Sequence, residues 1–397
     1  MATLPAVKQF SDRINRIEIS ATMAVVAEAA KLKAAGADLV EFGAGEPHFA
    51  TPQHIKDAAI AAIQNDCTRY TAVAGVQELR TAITRRHADD FGSMYQPGEC
   101  IASTGGKLAL FNAIQVLVDH GDEVIVPVPY WVSFKDIIEY AGAKCVFVET
   151  EEAENFRLTP EMIERQITPR TRAIIINTPN NPSGAVLDPA DFTAIARLAH
   201  KRGIYVIADE CYVYLNFTPR RFSAGSLNDV KQHLVIAGSL SKTYAMTGWR
   251  LGHTLAPAPI INAMTKLQSQ STSSTAHMVQ MAGLAAVTGP QDCVEKMKKD
   301  YMMLRELALG HLKLIPGVTC VKPEGAFYVY PNVSAYFGKA GITSAADVAK
   351  RLLHEAHVVT VPGEAFGTRD HIRLSYATAA TEIERGMERM QEWFGKL

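Results

Sequence analysis

The sequence has no excess of either charge. Its 397 residues include 40 lysines and arginines against 41 aspartates and glutamates, which gives a formal net charge of -1. A chain with this balance has no overall electrostatic attraction to nucleic acid or to an anionic membrane surface. We therefore expect neither as a partner.

The sequence also has no long apolar run. No stretch reaches the roughly 18 consecutive apolar residues that mark a membrane-spanning helix. The first residues, MATLPAVKQFSDRINRIEIS, are polar and mixed in charge, without the apolar stretch of a signal peptide. A cytoplasmic location is therefore expected.

Cysteine is scarce. The six cysteines are scattered, with no CxxC pair and no metal-ligand spacing. Because the expected compartment is reducing, we predict free thiols in the core and no metal site. The cysteines are Cys67, Cys100, Cys145, Cys211, Cys293 and Cys320.

What the chain does contain is an alternation of short apolar β-branched runs with helical patterns. The runs are EVIVPVP from residue 123, AIIINTP from 173, IYVIADE from 204 and HLVIAGS from 233. Strands alternating with helices are typical of an α/β fold with a mostly parallel sheet that helices cover on both faces.

The two ends of the chain show a different pattern. Helical segments dominate after about residue 290, interrupted by the strand-like GAFYVYPNV and HIRLSYAT, and a helix is predicted over 21–35 before Gly36. We predict an N-terminal arm over 1–13, a large domain over 47–290, and a smaller α+β domain formed by 14–46 and 291–397.

A lysine in an unusual setting follows one predicted strand. The segment AGSLSKTYAMTGWRLG places Lys242 beside Ser239, Ser241 and Arg250. An amine that attacks a carbonyl must be partly neutral, and burial near other cations lowers its pKa. Hydroxyls and a guanidinium suit a phosphate group. A lone SxxK, however, is more commonly a surface lysine.

Four further segments each allow a functional and an ordinary structural explanation. Gly105 and Gly106 in STGGKLAL can form an anion-binding helix start or a plain tight turn. Asp209 in IADECY, with Tyr212 after it, can hold a pyridine nitrogen protonated or cap the next helix. In NTPNNPSG, Asn181 can present an amide from a rigid turn or belong to an ordinary loop. Arg373 in HIRLSYAT can bind a substrate carboxylate or pair with an acidic side chain.

Taken together, these segments resemble the class I aminotransferases of pyridoxal phosphate fold type I. The resemblance covers nearly the whole chain and includes GAGEPHF, YWVSF, NNPSG, DECY, SLSKTYAMTGWRLG and RLSYAT. GGKLAL and MTGWR are similar to the bacterial and archaeal aspartate aminotransferase branch. The resemblance implies a large domain with a mostly parallel seven-stranded sheet and a smaller α+β domain.

The resemblance also implies a role for each matched residue around pyridoxal 5'-phosphate. Lys242 would carry the cofactor as a Schiff base and move the substrate proton, and Asp209 would pair with the pyridinium nitrogen. Family members are homodimers, so Tyr70 would reach the phosphate in the other subunit. The remaining cofactor-binding residues would be Gly105, Gly106, Lys107, Trp131, Asn181, Tyr212, Ser239, Ser241 and Arg250.

The substrates implied are an amino acid and a 2-oxo acid, with aspartate and 2-oxoglutarate in a ping-pong reaction as the first hypothesis. Arg373 would bind the substrate α-carboxylate, assisted by Gly45, Asn181 and Trp131. Lys107 resembles the lysine that binds a distal carboxylate. Glu18 departs from relatives that accept prephenate and often carry a basic residue near this place, so prephenate use is not expected.

Three alternatives remain open on the sequence alone. The same cofactor residues would serve a transaminase for aromatic, alanine or other neutral amino acids. They would also serve a β-elimination lyase. A ligand-sensing regulator built on the same fold is a non-enzymatic alternative, although the residues before GAGEP show no basic recognition helix.

Overall fold

Short β-branched segments form the centre of the fold, as predicted. The computed structural model describes residues 10–19 and 21–397. One sheet has seven strands in the spatial order β2-β8-β7-β6-β5-β3-β4. Its strands are β2 (Cys100–Ser103), β3 (Glu123–Val128), β4 (Lys144–Glu149), β5 (Thr171–Asn177), β6 (Tyr205–Asp209), β7 (Leu234–Ser239) and β8 (Gly252–Leu255).

The strand directions confirm the mostly parallel sheet. Strands β4, β3, β5, β6 and β7 are parallel to one another, and only β8 runs antiparallel to its neighbours β7 and β2 within this sheet. Successive residues of the inner strands enter different cores, as Val206 and Ile207 of β6 do. Because both faces of the sheet are buried, the central residues of the inner strands form continuous apolar runs, with polar residues confined to the strand ends.

Helices cover the sheet and continue to the end of the chain. In the described residues they are α1 (Ala21–Ala34), α2 (Gln53–Gln64), α3 (Gln77–Phe91), α4 (Gly106–Leu117), α5 (Ser133–Ala141), α6 (Pro160–Glu164), α7 (Pro189–Lys201), α8 (Leu240–Thr243), α9 (Ala258–Ser269), α10 (His277–Thr288), α11 (Asp292–Leu312), α12 (Ala345–Arg351) and α13 (Ala380–Phe394). The helix predicted over 21–35 is confirmed as α1.

A second core joins the two ends of the chain. Strand β1 (Val40–Glu41) pairs in parallel with β10 (Val358–Val359). A three-stranded antiparallel sheet has the order β11-β12-β9, formed by β11 (Val361–Pro362), β12 (Ile372–Ser375) and β9 (Tyr328–Val329). The limits of the two domains stay a prediction, and the first nine residues of the predicted arm lie outside the described part of the chain.

The parallel strands β3, β5, β6 and β7 end at the same edge of the large sheet. Asn177, Asp209 and Ser239 are the last residues of three of these strands. In open α/β sheets, this edge is where ligands bind. The edge therefore brings the loops after these strands together, and β12 reaches it through Arg373, which contacts the loop after β5.

The sequence predicts neither a membrane-spanning helix nor a metal site. None of the described helices is both long and apolar enough to cross a membrane. Among the same residues, no group of three or more potential metal ligands lies together. The six cysteines have free thiols.

Candidate active site

Lys242 lies in α8, directly after β7. Ser239 caps this short helix by accepting a hydrogen bond from the Ser241 amide at 3.1 Å. The Lys242 ammonium donates to the Gly45 carbonyl and lies 5.8 Å from the centre of the Phe327 ring.

The setting of Lys242 favours a neutral amine. Burial lowers its pKa from 10.5 to about 8; the carboxylate of Glu46 opposes this shift, whereas the guanidinium of Arg373 adds to it. At pH 7, about one amine in ten is then neutral, against about one in three thousand for an ordinary lysine. The side chain is therefore suited to attack a carbonyl carbon.

Asp209 ends β6 and is 4% exposed. Its Oδ1 accepts a hydrogen bond from the Cys211 amide at 3.2 Å. Burial raises the pKa of this carboxyl to about 6, although the Cys211 amide and the Lys242 ammonium both favour the charged form. A buried carboxyl with such a pKa becomes a carboxylate when a cation, such as a protonated pyridine, meets it.

Two glycines open a cradle at the start of α4. Gly105 has φ +84°, and a Cβ at this position would collide with the Arg250 guanidinium. A Cβ on Gly106 would lie 3.1 Å from the Cβ of Ser239. Backbone amides of a helix N-terminus, a hydroxyl and a guanidinium thus meet in one place, which is the donor set that binds a phosphate group.

Arg373 is a buried cation, 3% exposed. Its Nη1 donates to Asn181 Oδ1 at 3.0 Å, its Nη2 donates to the Gly43 carbonyl at 2.7 Å, and its Nε has no partner. Within the described residues, no carboxylate lies in ion-pair range of Arg373. The predicted alternative of an acidic structural partner is therefore not found, and the site suits a carboxylate ligand.

Tyr212 presents a phenol that stays protonated. It is 3% exposed, and burial raises its pKa well above 10. Its hydroxyl lies 2.7 Å from the hydroxyl of Tyr328. The ring of Tyr328 in turn lies 4.6 Å from the Cζ of Arg373. The Tyr212 phenol is therefore held within the same buried group as the guanidinium.

Trp131 and Lys107 lie at the open side of the site. The ammonium of Lys107 is 5.1 Å from the centre of the Trp131 ring. Partial burial lowers the pKa of Lys107, as does Arg250, whereas the carboxylate of Asp136 opposes the shift. Asp136 also accepts a hydrogen bond from the Glu18 amide at 3.2 Å.

The side chain of Tyr70 lies almost entirely in solvent and is not packed into the site of its own chain. It is 91% exposed. The other predicted residues follow the strands of the large sheet at its carboxyl edge, open α4 or lie on the strand of Arg373, apart from Gly45, which follows β1 and contacts Lys242 through its carbonyl.

Sequence reasoning missed Tyr328 and Gly43. Tyr328 contacts both Tyr212 and Arg373, and its hydroxyl would lie 2.6 Å from a Cβ at Gly45. The segment GAFYVYPNV indicated only a strand. Because Tyr212 and Arg373 both lie far from Tyr328 along the chain, no local pattern could have identified its role.

A lysine poised for Schiff-base chemistry, a buried carboxyl and a phosphate cradle at the carboxyl edge of this sheet define a pyridoxal-phosphate-dependent enzyme of fold type I. A family profile described as aminotransferase class I and II matches residues 37–390. The chain belongs to this aminotransferase family.

Individual relatives cover nearly the whole chain. The aspartate aminotransferase of Geobacillus stearothermophilus is 41% identical over 97% of this chain and 98% of the relative. The aspartate/prephenate aminotransferase of Nitrosomonas europaea is 39% identical over 96% and 98%. The structure of aspartate aminotransferase from Thermus thermophilus with maleate has a TM-score of 0.93 at 40% identity, covering 97% of this chain and 100% of that chain.

Proposed function

We propose that the protein transfers the amino group of L-aspartate to 2-oxoglutarate by a ping-pong route, with pyridoxal 5'-phosphate bound through Lys242. The observation that supports this proposal is that Lys242, whose pKa is lowered, and the buried Asp209 carboxyl lie at the same edge of the sheet. Relatives that bear the name aspartate aminotransferase support the choice of donor.

The residues of the site fit the cofactor. When bound, pyridoxal phosphate supplies an electron-withdrawing ring that stabilises negative charge at the substrate α-carbon. Asp209 would hold the ring nitrogen protonated, and Trp131 would lie on the ring face. Asn181 and Tyr212 would donate to the ring's phenolic oxygen. Its phosphate would be bound by the backbone of Gly105, Gly106 and Lys107 and by the side chains of Ser239, Ser241 and Arg250.

Substrate binding is assigned to the buried guanidinium. Arg373 would bind the α-carboxylate with two parallel hydrogen bonds, and Asn181 and Gly45 would fix its orientation. This contact aims the substrate Cα–H at the Lys242 amine. The neutral amine would then accept the proton from the α-carbon and return it at the next step. The lowered pKa of Lys242 makes it a base at neutral pH.

Lys107 is the proposed partner of the distal carboxylate of aspartate. Its ammonium lies at the open side of the site, against the Trp131 ring. The Asp136 carboxylate favours the protonated form of Lys107 and partly offsets its positive charge, and it accepts a hydrogen bond from the Glu18 amide. These acidic side chains favour, as a second candidate, a donor with a neutral side chain. They also argue against prephenate as an amino acceptor.

The proposed assembly and location are those expected from the resemblance to the family. We propose a homodimer in which Tyr70 reaches the phosphate bound by the partner subunit, because Tyr70 is 91% exposed in the single chain. We also propose the two-domain division at residues 46/47 and 290/291, and a cytoplasmic location.

The donor is tested by comparing kcat/KM for aspartate, alanine and phenylalanine, with 2-oxoglutarate as acceptor. Lys107→Gln should reduce kcat/KM for aspartate about tenfold or more and leave alanine within about twofold, since only aspartate has a second carboxylate. Lys201→Gln, an exposed lysine at the end of α7, is the matched control. A wild-type preference for neutral donors would overturn the choice of aspartate, and release of ammonia would indicate elimination.

A further inference from the structure

The Glu152 carboxylate contacts three residues that lie next to one another at the edge of the second core. It lies in the turn after β4, and its Oε1 accepts a hydrogen bond from the Thr319 hydroxyl at 2.7 Å. Its Oε2 accepts one from the Asn332 amide at 2.9 Å and lies 3.3 Å from His371 Nε2. Thr319, Asn332 and His371 are neighbours across two backbone bridges. One carboxylate of the large sheet thus holds three adjacent chain segments of the second core.

The contact is shielded from water. The side chain of His371 is 8% exposed and that of Glu152 is 19% exposed. Burial alone would raise the pKa of Glu152, but the contacts with His371, Thr319 and Asn332 outweigh it, so the pKa lies below its ordinary value. Glu152 is therefore a carboxylate at neutral pH, and it accepts the hydrogen bonds of Thr319 and Asn332 in a mostly buried setting.

A column of rings connects this contact to Arg373. His371 lies one residue before β12, in a backbone bridge with Asn332, and precedes Arg373 by two residues, so in extended backbone the two side chains share a face. The His371 ring stacks on Tyr330, with 4.7 Å between centroids and 10° between planes. Tyr330 meets Phe366 edge-on at 5.9 Å, and Phe366 lies 5.0 Å from the Cζ of Arg373. Packed rings therefore fill the space between His371 and the guanidinium, so a displacement of His371 is expected to disturb the packing around Arg373.

Strand β12 is attached to the large sheet at two places. One is the hydrogen bond of Arg373 to Asn181, and the other is the contact of His371 with Glu152. A substrate carboxylate bound to Arg373 competes for the first attachment, because it uses the same guanidinium. The second lies outside the proposed substrate position and can persist while the guanidinium exchanges partners.

We infer that Glu152 and His371 are positioning residues for the aminotransferase reaction. They hold β12 so that Arg373 meets the substrate α-carboxylate in the correct orientation. This inference rests on the proposed role of Arg373. Neither residue touches the reacting atoms, so their effect is expected on substrate binding and little on the steps that follow.

The test compares Glu152→Gln with Glu151→Gln, an adjacent exposed residue. In the holoenzyme, Glu152→Gln should raise KM for the amino donor and the Kd of succinate, measured by calorimetry, about five- to tenfold. The value of kcat and the affinity for pyridoxal phosphate should change less than about twofold. His371→Gln should have a similar effect, and the double variant should not exceed the larger single effect, because the two side chains act through one contact.

Two results would overturn the inference. One is a lowered melting temperature of Glu152→Gln with unchanged KM and succinate Kd, since the contact would then serve stability alone. The other is a double variant whose effect is the product of the single effects. The Arg373→Lys variant separates this inference from the proposed role of Arg373. If Arg373→Lys also leaves the succinate Kd unchanged, the proposed role of Arg373 is wrong. If Arg373→Lys raises the succinate Kd and Glu152→Gln does not, only the positioning role of Glu152 and His371 is rejected.

Discussion

Arg373 donates a hydrogen bond to Oδ1 of Asn181 across 3.0 Å, although 192 positions separate them in the chain. The bond joins the three-stranded sheet to the loop after β5. It also orients the Asn181 amide, because Oδ1 is occupied and the Nδ2 group is left to donate to a ligand. One contact thus connects the proposed carboxylate site with the proposed cofactor site.

Replacing Arg373 with lysine should reduce kcat/KM for the amino donor about a hundredfold, because lysine keeps the charge and loses the two parallel hydrogen bonds. Most of the loss should be an increase in KM. Arg369→Lys, an exposed residue of the preceding turn, is the control. Steady-state kinetics in which both variants behave alike would contradict the assignment.

Asp209 should make the cofactor-free protein less stable as the pH rises. Its native pKa of about 6 lies above the ordinary 3.8, so the native state binds the proton more tightly than the unfolded state. The resulting stabilisation is complete below about pH 4 and is lost as the pH rises through about 6.

Asp209→Asn removes this titration and keeps an oxygen for the Cys211 amide. Urea unfolding of the cofactor-free proteins should show wild type losing about 1–2 kcal/mol relative to this variant between pH 5 and pH 7.5. The exposed Asp66→Asn should follow wild type. Parallel pH profiles for wild type and Asp209→Asn would show that burial does not raise the pKa of Asp209.

Gly105→Ala should weaken cofactor binding. The substitution places a Cβ against the Arg250 guanidinium and forces alanine to adopt φ +84°. We expect the Kd of pyridoxal phosphate to rise about tenfold or more, as measured by titration of the cofactor-free protein. Gly248→Ala is the matched control, because no atom lies within 4 Å of its added Cβ. Equal affinities in the two variants would exclude Gly105 from the cradle.

A Tyr70 variant and a Lys242 variant should restore activity when one subunit of each is combined in a hybrid dimer. Tyr70→Phe and Lys242→Ala homodimers should both have low activity. A hybrid of the two contains one site with both native residues, provided that Tyr70 acts in the partner's site. Mixed and reassembled subunits should therefore recover up to about a quarter of wild-type activity from random pairing. No recovery, with hybrids detected by native mass spectrometry, would place Tyr70 in its own subunit's site.

Much of the fold could be predicted because its signals are local. The apolar runs from 123, 173, 204 and 233 became β3, β5, β6 and β7, and Gly106 begins α4 as expected. The strand ends then placed Asp209 and Ser239 at one edge. These features depend on the secondary-structure propensity of short segments and on the geometry of parallel sheets, and both can be inferred from local sequence patterns.

Contacts between distant segments could not be predicted in the same way. Tyr328 lies in a segment recognised only as a strand, and Glu152 in an acidic stretch without a motif. Their partners follow from how the second core packs on the large sheet, which no periodicity specifies. The resemblance supplied the proposed role of Arg373, whereas only the structure showed that none of the described residues offers it a carboxylate partner.

The central claim is that Lys242 carries the cofactor as a Schiff base. Borohydride reduction of the holoenzyme, followed by digestion and mass spectrometry, identifies the lysine that is linked to the cofactor. The account predicts a phosphopyridoxyl group on the peptide containing Lys242 and none on the Lys242→Ala protein. A label on another lysine of the wild-type protein, such as Lys107, would contradict it.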